Sequence, residues 1–92
     1  MHTISLLCNE YPLVYDVGVA YTAEEWLHPD RVLEFNILNL IVQGEMHVVE
    51  DGVRYIVPAG EFIFLRNGVR HWAETKTKAD TKWYWIHFYD SP

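Results

Sequence analysis

Turn signals crowd the stretch from Gly44 to His71, GEMHVVEDGVRYIVPAGEFIFLRNGVRH, and they restrict the fold more than any other feature of the chain. Between them lie three short runs rich in β-branched and aromatic residues, 46–50, 53–57 and 61–65. Asp51-Gly52 predicts a two-residue type I′ hairpin, because both central residues of that turn need positive φ. Pro58-Ala59-Gly60 and Asn67-Gly68 punctuate the later runs, since proline cannot donate to a ladder and glycine takes dihedrals closed to other residues. The stretch reads as antiparallel, turn-dense β structure.

Residues 4–8 and 14–21 also read as strands, broken by Asn9-Glu10-Tyr11-Pro12. Within the second, Gly18 and Ala20 alternate with Val17 and Val19, and such small residues let another backbone or a ligand come close. Thr22-Ala23-Glu24-Glu25 matches a capping box. Pro29 forbids a long continuation, so one turn of helix or a bare turn is expected there. Residues 31–42 (RVLEFNILNLIV) read as a strand covered on both faces or as a short buried helix; β-branched content and the following Gly44 favour strand. As a strand, 83–89 puts Trp83, Trp85, His87 and Tyr89 on one face and Tyr84, Ile86 and Phe88 on the other. About eight short strands with frequent turns point to a sandwich or small barrel.

Half of the 92 residues are hydrophobic, enough for one domain with a real core. The single cysteine, Cys8, makes no internal disulfide and fits a reducing cytoplasm. No run is long enough to cross a bilayer, and the start MHTISLLCNEYP lacks the regions of a signal peptide, so a cytoplasmic chain with no membrane partner is expected. The net charge of −6, from seven Lys and Arg against thirteen Asp and Glu, repels polyanions unless the bases cluster. Lys76, Lys78 and Lys82 are instead interspersed with Glu74, Thr77 and Asp80. For catalysis, Ser5 and Ser91 have no histidine nearby, and Glu24, Glu25, Glu50, Asp51 and Asp80 fall in turns or loops; no nucleophile–base set or paired carboxylates emerge, and no enzyme is expected. Four Trp, six Tyr and four Phe either fill the core or line a cavity for a flat or ring-shaped ligand.

The spacing Gly60-x5-Arg66-x-Gly68-x2-His71 resembles the second cupin motif, with arginine in its proline slot and Thr75 in its last one. Gly44 resembles the glycine that closes the first motif. The glutamate slot of that motif holds Ile37, and its histidine slots hold Arg31 and Leu33 or Asp30 and Val32. A metal site needs three or four converging N and O donors, and only His71 remains of the set, so no metal and no cofactor is expected. His28 and Asp30 are poor substitutes, because Pro29 separates them and both precede the strand.

The series Arg31, LNLIVQGEMHVVEDGVRYIVPAGEFIFLRNGVRHWAE and TKWYWIHF is similar to the N-terminal sensor domain of AraC-type transcription regulators over residues 28–89. Its more specific part is the coupling of the glycine framework to Trp85-Ile86-His87-Phe88. The resemblance implies an all-β, double-stranded β-helix (jelly-roll barrel), with 1–92 as one ligand-binding and dimerisation domain. It implies a small-molecule effector inside the barrel, often a sugar, a homodimer, and DNA contact only through helix-turn-helix motifs outside these residues. Effector binding would change how the N-terminal arm or the following helices pack.

Carried over from that family, Gln43, Trp83 and Trp85 face the effector. Gln43 offers a donor and an acceptor, and the two indoles stack on a pyranose or fill the barrel. His71 is a ligand contact or a core histidine bonded to a neighbouring strand. Arg31 clamps a carboxylate or hydroxyl pair, or is a solvated charge at a strand start. His47, with Glu45 and Glu50, decorates a hairpin surface, His87 is buried structure, His2 belongs to an N-terminal arm, and Cys8 fills core. The Tyr84, Ile86 and Phe88 face packs on a partner subunit or on following chain. Two other readings stay open: a stand-alone cupin enzyme with a metal at His71, and a pocketless oligomerisation barrel filled by Trp83, Trp85 and Phe64.

Overall fold

A computed structural model describes residues 13–89. They form seven strands: β1 (Leu13–Thr22), β2 (Asn36–Gln43), β3 (Glu45–Glu50), β4 (Val53–Pro58), β5 (Phe62–Leu65), β6 (His71–Trp72) and β7 (Thr81–Tyr89). The expected strand at 4–8, Cys8, the N-terminal arm with His2, and Ser5 and Ser91 lie outside the described residues. Every pairing is antiparallel. One sheet runs β1-β7-β2-β5 and the other β4-β3-β6. Ile37, Ile41, Ile63, Leu65 and Trp83 of the first meet Met46, Val48 and Val57 of the second in one buried cluster. The all-β jelly-roll expectation is met.

The β3–β4 hairpin forms as its sequence demands: Glu50 pairs with Val53, and Asp51 and Gly52 take φ of 50° and 80°. Gly44, at φ 80°, turns the chain from one sheet into the other, and a Cβ there would collide with the Thr81 side chain and backbone.

Four expectations change. The run 31–42 is not one strand: Arg31 pairs its backbone with His71, N–H to O and O to N–H at 3.0 Å each, in line with the three-stranded sheet. Asn36 onward pairs in the other sheet, so the chain changes layers between them and no single strand can serve both. The capping box caps nothing. Residues 23–24 only bend, the Thr22 hydroxyl lies 3.4 Å from the Lys78 and Thr81 carbonyls, and Trp26 bridges to Thr77. Glu50 is not a turn or surface carboxylate. It is buried, accepting from the Arg66 amide at 2.6 Å and the Arg66 Nε at 3.1 Å. Phe88 is buried on its outward face because Phe64 stacks on it, ring centroids 5.6 Å apart and planes 16° from parallel. Phe64 therefore does not fill the interior.

Two buried threonines hold the polar loop before β7 against β3. Thr77 Oγ1 accepts from the His47 amide at 3.0 Å, and Thr81 Oγ1 accepts from the Glu45 amide at 3.1 Å and donates to the Lys78 carbonyl at 2.8 Å. Among the described residues no helix is long and apolar enough to cross a membrane.

Candidate functional site

Alternation along β7 aims Trp83, Trp85 and His87 inward. Their registered neighbours are Ile41, Asn39 and Ile37 on β2, and on β1 Ala20 and Gly18 lie opposite Trp83 and Trp85. Met46 of β3 and the segment carrying Trp26, His28 and Arg31 close the other side. They line a half-open cavity of about 180 Å³.

Aromatic rings wall most of it. Trp26 and Trp83 lie with centroids 5.3 Å apart, and Trp85 and His87 lie 4.5 Å apart. Phe35 backs His87 at 4.6 Å. Gly18 makes this possible, because a Cβ at that position would come within 2.3 Å of a Trp85 ring carbon. The small residue admits a side chain of the same barrel rather than a ligand or another backbone.

The polar groups are few. His28 and His71 are both buried, with Nε2 of the first 2.7 Å from Nδ1 of the second. Desolvation lowers the pKa of His28 to about 3, helped by His71 and Arg31. Desolvation and then Arg31 lower His71 to about 4, against smaller opposing pulls from Glu50 and Asp30. Both are neutral at pH 7, so one donates and the other accepts. Nδ1 of His28 and Oδ1 of Asn39 find no hydrogen-bond partner among the described residues, while Nδ2 of Asn39 points at the Met46 sulfur, 3.7 Å away. Arg31 stands at the rim, exposed but desolvated enough for its pKa to fall. No carboxylate of the described residues pairs with it; Asp30, next in sequence, turns outward to Arg70 at 2.9 and 2.7 Å.

Of the residues expected to form a site, Trp83, Trp85 and Arg31 line the cavity, and His71 stands one layer behind, against His28. Gln43 is not brought there. A register shift between Ile41 and Gln43 breaks the alternation of β2, and the exposed side chain donates to the Asp80 carbonyl at 3.0 Å. His87, expected to be buried structure, is a lining residue. Trp26, His28, Asn39 and Met46 were not singled out as lining residues. Ile37, Asn39 and Ile41 share a face of β2 by simple alternation. Nothing local marks Trp26 or His28, which long-range pairing of the loop brings in.

The histidine pair does not fit a transition metal. Two imidazole nitrogens on one tetrahedral zinc would stand about 3.4 Å apart; these stand 2.7 Å apart and bond each other. Among the described residues no group of three or more His, Cys, Asp or Glu converges to complete a ligand set.

The cupin domain family, Cupin_2, matches residues 14–87. A relative 27% identical over 78 residues, covering 85% of this chain and 27% of its own length, is an uncharacterized HTH-type transcriptional regulator, YisR, of Bacillus subtilis. The chain thus spans about a quarter of that relative. An RmlC-like cupin of Shewanella frigidimarina superposes with a TM-score of 0.63 at 19% identity, over 78% of this chain and 63% of that one. A structure from Ralstonia eutropha, provisionally named a mannose-6-phosphate isomerase, gives 0.69 at 11% identity, over 94% and 91%. At these identities the two structures speak for the fold alone. With the family matched over most of its length and the jelly roll in place, the chain belongs to the cupin domain family.

Proposed function

We propose that this chain is the effector-sensing and dimerisation domain of an AraC-type transcription regulator, and that it binds a small molecule, a carbohydrate, inside the barrel. The observation that carries this reading is the aromatic-walled cavity, which pairs ring-stacking surfaces with a few polar side chains, the make-up of a small-molecule site. Trp83 and Trp85 are its stacking faces, Arg31 its rim contact, and His71 acts through His28. Gln43 has no place in this ligand set. The lining holds no Ser, Thr, Cys, Asp or Glu, so a binding role is favoured over an enzymatic one. The similarity to an HTH-type regulator supports the regulatory role, with DNA reached through a domain outside these residues and a cytoplasmic place of work.

The homodimer in this reading forms on the outer face of the four-stranded sheet. Val17, Val19 and Tyr21 of β1 are each more than half exposed there, beside Tyr84 and Leu40. Tyr84 and Ile86 belong to this face, whereas Phe88 is already covered by Phe64.

A thermal-shift panel of monosaccharides and their derivatives tests the binding role. Saturation at a hundredfold excess over Kd adds about 2.7 kcal/mol, and a domain of this size gains roughly 4–8 °C per kcal/mol. A flat panel together with a stoichiometric transition metal on elemental analysis would replace the sensor with an enzyme.

A further inference from the structure

We propose that the guest of this cavity is a monocyclic acid, its carboxylate held by Arg31 and its ring against Trp83 and Trp85. The inference rests on the reading of the cavity as a small-molecule site and names the class it takes.

Charge comes first. Arg31 lines the rim without a carboxylate partner among the described residues. Asp30 is held by Arg70 and Glu50 by Arg66; Asp16 keeps its charge near His87, where it opposes the fall of that imidazole's pKa. His28, His71 and His87 all have lowered pKa values and carry no charge at pH 7, so the guanidinium is the one formal charge among the lining residues. Its planar fork matches a carboxylate in two parallel hydrogen bonds, whereas a neutral sugar leaves it unneutralised and an amine is repelled.

Size sets the limit: about 180 Å³ lies well below the roughly 300 Å³ at which drug-sized sites begin, leaving room inside for one substituted ring. Sugar acids and phenolic acids share this chemistry.

Isothermal titration of the chain with glucuronate, galacturonate, glucose, galactose, 4-hydroxybenzoate and benzoate distinguishes the sources. A uronate is expected to bind at least about tenfold more tightly than its neutral sugar, as a charge-assisted pair implies, with an affinity that falls as salt rises. Arg31→Gln should abolish that preference, and Arg31→Lys should restore part of it; circular dichroism confirms that both variants fold. Binding of 4-hydroxybenzoate or benzoate with neither sugar series, weakened by Arg31→Gln, upholds the acid inference and removes the carbohydrate from the proposed function. Equal affinity for a neutral sugar and its acid, or an acid affinity indifferent to Arg31→Gln, overturns the inference and leaves the sensor reading standing. Silence from all six compounds overturns both.

Discussion

His28 and His71 make the stability of this cupin barrel depend on pH. Unfolded, each imidazole titrates near 6.5; folded, they titrate near 3 and 4 because the barrel desolvates them. Below about 6.5 the unfolded chain binds protons that the folded chain refuses, so their contribution is complete at neutral pH and is lost as pH falls toward 4. Each unit of depression is worth about 1.4 kcal/mol. Asp30 and Glu45, lowered chiefly by hydrogen bonds to Arg70 and Lys78, contribute only at lower pH, so the slope between about pH 7 and pH 5 belongs to the histidines. Urea midpoints should fall across that window, and His71→Gln should flatten the fall; a wild-type midpoint that stays level would mean the pair is wet. At Gly18, substitution by Ala drives a methyl into the Trp85 indole and should cost about 1–3 kcal/mol, with a change in tryptophan fluorescence. At this scale the sequence disclosed residue types better than meetings: two tryptophans and an arginine of the cavity could be named, but 43 positions separate His28 from His71, and no local pattern joins them.

Strands and turns were legible where their causes are local. The β3–β4 hairpin follows from two adjacent residues with positive φ, and β7 from a run whose inward face alternates by twos. The segment from Arg31 to Asn36 was not legible, because an unbroken apolar run does not record that its two ends join different sheets. Nor was β6, two residues long and held by pairing with Val49 and Glu50. The burial of Glu50 was hidden for a similar reason: the amide it accepts from belongs to Arg66, across the barrel from its own hairpin. Glu50→Ala leaves that amide without its partner and should lower unfolding free energy by about 1–3 kcal/mol in chemical denaturation. Glu50→Gln, which keeps an acceptor oxygen, should lose less.

As a whole, the molecule is a two-sheet barrel with different needs inside and out. Its interior is hollow on the aromatic side, while the outer face of the four-stranded sheet carries Val17, Val19, Tyr21 and Tyr84 into solvent. Such a patch calls for a partner. Sedimentation velocity should show a dimer that Val19→Lys or Tyr84→Lys converts to monomer without lowering the melting temperature of the isolated fold; a wild-type monomer at all concentrations would remove the dimer. The outer stripe was readable from alternation on β7, and its extension onto β1 came only with the register between them. That register has a mechanical meaning. Because the Trp85 ring lies on bare backbone at Gly18, the first strand cannot slide along the last without pushing the indole or being stopped by it. Whatever leans on that ring from within is therefore felt directly by the strand outside it, like a thumb against the back of a drawer.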